Sequence, residues 1–133
     1  MLDKRPRVAI VDGRRTPFLR SGTGFRPLMA WQLGQSAVQG LLTSVGIPFL
    51  EIDAVIMGCV AADIATTNVA REIVLGTGLP VNVPAHTCTQ ACISANQAIA
   101  SAANTILAGQ ADVVIAGGTE TFSDTDIRGS RNY

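Results

Sequence analysis

Apolar positions along the chain alternate between two rhythms. Val8–Val11 is a short β-branched run closed by Asp12-Gly13, which predicts a buried strand. A Gly- and Arg-rich loop follows, and from about Leu28 to Val45 the spacing becomes helical. Ala30, Leu33, Ala37, Val38, Leu41, Leu42 and Val45 fall on one face, and Gly46 and Pro48 give a stop. Ala54–Val60 is apolar almost throughout and reads as a second strand. Thr66, Thr67 and Asn68 lead into a short helix from Val69 to about Gly76, with Asn68 as its N-cap and Gly78 and Pro80 beyond its end. A third strand over about Ala85–Gln90 runs into a helix over Ser94–Ala108. That helix carries Ala95, Ala98, Ile99, Ala102 and Ile106 on one stripe and is closed by Gly109. Val113–Ala116 is the fourth strand, followed by Gly117-Gly118.

The predicted order is β-α-β-α-β-α-β, with strands apolar on both faces. It implies an α/β fold, layered around a mainly parallel sheet with right-handed crossovers. The alanine-rich stripe of the last helix permits close packing between layers. After Thr121 the residues turn to Ser, Asp, Arg, Gly and Asn, which reads as a loop.

Composition changes the picture in one respect. Of the 133 residues, 47% are hydrophobic and only 15% charged, with ten basic residues against ten acidic. Ordinary soluble domains carry about 25% charge, so part of this surface is expected to be covered by something else. The zero balance gives no long-range attraction to phosphate, which argues against nucleic acid as a partner. No segment approaches the roughly 20 apolar residues of a membrane span. The three cysteines, an odd number, argue against a disulfide framework and for a reducing compartment, with the cytosol as the default. Asp3, Asp12 and the early strand pattern weigh against an import sequence. Lys4, Arg5, Arg7, Arg14, Arg15, Arg20 and Arg26 crowd the first 26 residues, while no Lys or Arg stands between Arg71 and Arg128. The basic entry reads as a solvated loop in preference to a landing site for an anion.

Cys92 is the candidate nucleophile. It lies between a strand end and a helix start, where the positive end of the helix dipole and unpaired N–H groups favour a thiolate. The same N–H groups stabilise an oxyanion on a carbonyl attacked by sulfur, so the position suits thioester or acyl transfer. The competing reading is a small buried hydrophobe, the commoner fate of a free cysteine. His86 lies six residues back along a strand, about 20 Å away, and makes a poor base for Cys92. It reads as a strand-edge residue with a satisfied ring. Cys59, His86, Cys88 and Cys92 lack the paired spacing of a zinc site. Cys59 reads as core, and Cys88 as packing in preference to a resolving thiol. Ala116-Gly117-Gly118-Thr119-Glu120 lacks the spacing of a phosphate loop; its glycines mark close backbone approach, and Glu120 reads as a structural acceptor before a site carboxylate.

Four motifs in register resemble the N-terminal part of the thiolase family. They are Arg15-Thr16-Pro17-Phe18, Asn68-Val69-Ala70-Arg71, Ala91-Cys92-Ile93-Ser94-Ala95-Asn96-Gln97-Ala98 and Ala116-Gly117-Gly118-Thr119-Glu120. The third is most similar to thiolases of fatty-acid β-oxidation complexes, the trifunctional-protein β-subunit type. The resemblance implies a thiolase-like fold with residues 1–133 as an incomplete N-terminal domain. It implies 3-ketoacyl-CoA thiolase (acetyl-CoA C-acyltransferase) chemistry, with acyl-CoA and CoA as substrates, no further cofactor and no metal. Cys92 matches the family nucleophile, which takes the acyl group as a thioester and releases acetyl-CoA. A homo-oligomer or a β-oxidation complex is the implied assembly of the whole protein. The family's catalytic His, the Asn of its Asn-Glu-Ala-Phe motif and its second Cys match nothing in these residues, so the chain alone is expected to lack turnover. Thr89-Gln90 and Ala95 stand where many thiolases have Asn-Arg and Gly, and Phe122 replaces a Met, which leaves chain-length preference open. The alternatives are a ketoacyl-synthase-like condensing enzyme, disfavoured by the Arg-Thr-Pro-Phe loop, and a non-catalytic fragment that only binds a partner.

Overall fold

The three predicted helices form where their apolar stripes and stop signals place them. The computed structural model describes residues 7–61 and 65–123. In chain order these build α1 (Ala30–Val45), a 3-10 turn (Phe49–Glu51), β1 (Ala54–Gly58), α2 (Val69–Thr77), β2 (Ala85–Cys88), α3 (Ser94–Leu107) and β3 (Val114–Gly118). At the start of α1 the Gln32 side chain accepts from the Met29 N–H at 2.8 Å. Gly46 and Gly78 end α1 and α2 with φ of 68° and 78°, the left-handed conformation that only glycine adopts without steric cost.

The three strands are parallel in the order β2-β1-β3. The chain moves one way from β1 to β2 and back across β1 to reach β3. Right-handed crossovers in opposite directions put their helices on opposite faces of a sheet. Accordingly Val55, Met57 and Ile115 pack with Ile73 and Val74 of α2, and α1 adds Val38 and Leu42 to the same cluster. On the other face Ile56 packs with Ala98 and Ala102 of α3. The period of two in a strand therefore divides β1 between two cores. Asp53 fixes the start of the β1–β3 pairing by accepting from the N–H groups of Asp112 and Val113 at 2.7 and 3.0 Å. Those bonds hold its carboxyl below the usual range.

Several expectations are corrected. Val8–Val11 forms no strand; Ile10 and Val11 are exposed. An extended run becomes a strand only by exchanging backbone hydrogen bonds with a neighbour, and among the described residues β1, β2 and β3 pair only with one another. The observed order is thus α-β-α-β-α-β. The second and third predicted strands stop early, at Gly58 and Cys88. Beyond those points Val60 N–H donates to the Glu120 carboxylate and Gln90 N–H to the Ser94 hydroxyl. On α3 the stripe is right at Ala98 and Ala102, but Ile99 is exposed, as are Ile93 and Leu107. The polar tail after Thr121 lies outside the described residues from position 124, as do Lys4 and Arg5.

Asn68 caps α2 as expected and also binds the sheet. Its Oδ1 accepts from the Arg71 N–H at 3.2 Å and from the Thr87 hydroxyl at 2.9 Å, while Nδ2 donates to Ala85 O at 3.0 Å. Asn68→Ala is expected to lower stability by about 2 kcal/mol, the upper end for a lost cap, because a link to β2 is lost with it. Urea unfolding measures the difference; an unchanged midpoint would show that α2 needs neither contact.

Candidate active site

The carboxyl ends of the strands meet the amino end of α3. The chain leaves β2 at Cys88 and reaches α3 through Thr89, Gln90, Ala91, Cys92 and Ile93. Ser94 closes this turn. Its hydroxyl donates to Ala91 O and accepts from the Gln90 N–H, both at 2.7 Å, and the residue is buried. The Ile93 N–H donates to Gln90 O and the Ser94 N–H to Ala91 O, each at 3.2 Å. Ala91 has φ 47°, the one positive value among the described non-glycine residues. A left-handed alanine costs of order 1 kcal/mol or more and persists only where its surroundings impose it. Here the tightly bonded turn does so, and it turns Cys92 outward.

Cys92 is exposed, so among the described residues it is not packed as a small buried hydrophobe. No side chain caps the first turn of α3. That leaves the amino end of the helix, with its partial positive charge, directed at the space beside Cys92.

Two glycines bring α3 this close. A Cβ built on Gly58 would lie 2.3 Å from Ser94 C and 2.5 Å from Ala95 N, and one on Gly118 would lie 2.6 Å from the Ala95 Cβ. The close approach read from Gly117-Gly118 is real at Gly118; at Gly117 the nearest atom is 3.7 Å away, an ordinary contact. Gly58 was missed although it lies inside the run Ala54–Val60, where a glycine is itself a signal of close backbone approach.

Glu120 is a structural acceptor. One carboxylate oxygen accepts from the Val60 N–H at 2.8 Å, and the other from the Ala61 N–H at 3.2 Å and the Cys59 thiol at 3.5 Å. Cys59 is buried in the core, as its strand pattern implied. Burial, reinforced by the Glu120 charge, pushes its thiol up to about 12. Cys88 is half-buried against Ile56, Ala98 and Ala102, and its thiol donates to Ser94 O at 3.6 Å. His86 stands on the edge strand β2, as expected, with its side chain exposed and without a hydrogen bond to the other described residues. Among the described residues, no three of His, Cys, Asp and Glu are grouped to hold a metal ion, and no helix is long and apolar enough to cross a membrane.

The Arg-rich segment is an exposed loop. Arg14 pairs with Asp12 at 2.9 Å, Arg15 donates to Thr16 O, and Asp12 accepts from the Ser44 hydroxyl, tying the loop to α1. The Gly22 N–H donates to the Ser123 hydroxyl at 3.0 Å and ties the loop to the segment after β3.

A parallel α/β/α layering with an exposed cysteine at a strand-to-helix turn defines the class. The chain belongs to the thiolase family, matching the thiolase N-terminal domain over residues 8–133. It is 49% identical over 124 residues to the human mitochondrial trifunctional enzyme subunit beta, covering 93% of this chain and 26% of that protein. It is 42% identical over 120 residues to the 3-ketoacyl-CoA thiolase of Pseudoalteromonas translucida (strain TAC 125), covering 90% of this chain and 28% of that one. The crystal structure of the Bacillus anthracis acetyl-CoA acetyltransferase superposes with a TM-score of 0.82 at 32% identity, over 86% of this chain and 29% of that chain. The chain thus spans between about a quarter and a third of the length of these relatives.

Proposed function

We propose that this chain carries the nucleophile-bearing part of a 3-ketoacyl-CoA thiolase, with Cys92 as the acyl-accepting residue. The exposed thiol at the amino end of α3 carries this reading. In the reaction the Cys92 sulfur bonds to the 3-keto carbon, and the oxyanion that forms lies at the amino end of α3, whose partial positive charge lowers its energy. The bond between C2 and C3 then breaks, and the departing carbanion takes a proton to become acetyl-CoA. CoA sulfur next attacks the thioester carbon, and Cys92 recovers a proton as the shortened acyl-CoA leaves. The names of the relatives support the substrate class, CoA thioesters of β-oxidation, and an assembly of the whole protein in a β-oxidation complex or a homo-oligomer.

The 133 residues contain one histidine, His86, exposed on β2 and without a hydrogen bond to Cys92. In the purified chain the proton for the departing carbanion therefore comes from water, and the chain is expected to take up acyl groups slowly and without turnover. The test is to incubate it with a 3-ketoacyl-CoA and map the product by peptide mass. An acyl increment on the Cys92 peptide, with no thiolysis on adding CoA, is the expected result. An unmodified Cys92 peptide, or an adduct elsewhere, would overturn the assignment and favour a fragment that only binds a partner.

A further inference from the structure

Ser94 is held against two strands at once. A Cβ on Gly58 of β1 would lie 2.3 Å from Ser94 C, and the Cys88 thiol at the end of β2 donates to Ser94 O at 3.6 Å. The residue is only 4% exposed. From this fixed place its hydroxyl reaches into the cysteine turn, accepting from the Gln90 N–H and donating to Ala91 O, both at 2.7 Å. It thereby pins the peptide groups on either side of the Gln90-Ala91 pair, and between them lies the φ of 47° at Ala91.

We propose that Ser94 is a positioning residue for Cys92, which aims the sulfur by holding Ala91 in the left-handed conformation. The inference rests on the acyl-transfer reading of Cys92 and names what sets its nucleophile in place. Ser94 acts through the backbone of Ala91 and takes no part in bond making. Ala91 is exposed, so the packing of its side chain does not impose the unusual φ. The hydrogen bonds of the turn are left as the cause, and Ser94 supplies the two shortest of them. The backbone bonds, from the Ile93 N–H to Gln90 O and from the Ser94 N–H to Ala91 O, are each 3.2 Å. A left-handed backbone lowers the population of a non-glycine residue about tenfold. Without the hydroxyl the turn relaxes, and the sulfur leaves the amino end of α3, whose partial positive charge favours its attack. Acyl transfer is sensitive to such a shift, because a misplacement of about 1 Å can cost as much as roughly 100-fold in rate.

The test compares the wild-type chain with Ser94→Ala, Ala91→Gly, the double variant and Ala91→Val. Two rates are read on the Cys92 peptide by mass, acyl uptake from a 3-ketoacyl-CoA and alkylation by iodoacetamide. Ser94→Ala is expected to slow both about tenfold, the population lost when Ala91 is no longer held. Adding Ala91→Gly to Ser94→Ala restores both to within about twofold of the wild type, because glycine adopts the left-handed conformation unaided. A serine that served folding alone would give no such rescue, since glycine at position 91 adds neither packing nor a hydrogen bond. Ala91→Val, at an exposed position, slows both rates about tenfold or more with Ser94 intact, because a β-branched residue resists a positive φ. Wild-type rates in Ser94→Ala overturn the proposal, and so does a loss that Ala91→Gly leaves unrestored. If Ser94→Ala fails to fold, Ala91→Val decides, and a wild-type alkylation rate in that variant overturns the proposal. Absence of any acyl increment in the wild type counts instead against the acyl-transfer reading, and the alkylation rates still decide whether Ser94 places the thiol.

Discussion

Gly58→Ala is expected to cost about 3 kcal/mol of stability and to slow every reaction of Cys92. Inserting a methyl group into a close-packed site costs about 1–3 kcal/mol when neighbouring side chains can give way. At Gly58 they cannot, because the atoms it would meet at 2.3–2.5 Å are the backbone of Ser94 and Ala95. Relief requires moving the first turn of α3, and with it the turn in which Ser94 bonds back across Cys92 to Gln90 and Ala91. Stability and reactivity are therefore linked through one backbone contact. Gly117→Ala is the control, since its new Cβ meets only Met57 side-chain atoms at 3.7 and 3.8 Å. Urea unfolding and the iodoacetamide rate at Cys92 measure the two effects. Equal behaviour of the two variants would show that the approach of α3 to β1 does not set the site.

Cys92→Ala should do the reverse, abolishing acyl uptake while leaving stability nearly unchanged. The side chain is exposed, so its removal opens no cavity, and surface substitutions of this kind stay within about 0.5 kcal/mol. The hydrogen bonds that hold the loop belong to Gln90, Ala91, Ile93 and Ser94, and none uses the sulfur. Acyl uptake, by contrast, depends on a sulfur nucleophile at the helix end. With Cys59 and Cys88 occupied as hydrogen-bond donors, no other thiol is free to replace it. Peptide mass after exposure to a 3-ketoacyl-CoA should show no increment in this variant. A retained increment at wild-type level would remove Cys92 from the chemistry.

Local signals were legible where the chain itself supplies the partner. The stripe of Ala30, Leu33, Val38 and Leu42, the Asn68 cap and the stops at Gly46 and Gly78 each follow from neighbours within a few residues. Helix hydrogen bonds close within the segment, so a pattern of apolar and capping residues is nearly sufficient. Val8–Val11 has an equally good strand pattern and yet forms none, because a strand draws its hydrogen bonds from a distant segment.

The site divides in the same way. Cys92 was identified from its place between a strand and a helix, and the family resemblance was carried by short motifs; both are properties of residue order. The outward turn of the thiol was not legible, since it depends on Ala91 at φ 47° and on a buried serine that bonds Gln90 and Ala91 across the cysteine. Nor was the clamp at Glu120, which joins residues about 60 positions apart. By itself the sequence determined the helices, the apolar strand segments, the family and the candidate sulfur. Only the tertiary structure decided which strands pair, which cysteine faces solvent and which is held by a carboxylate. Those outcomes rest on backbone approach and hydrogen bonds between distant segments, which periodicity along a chain does not encode.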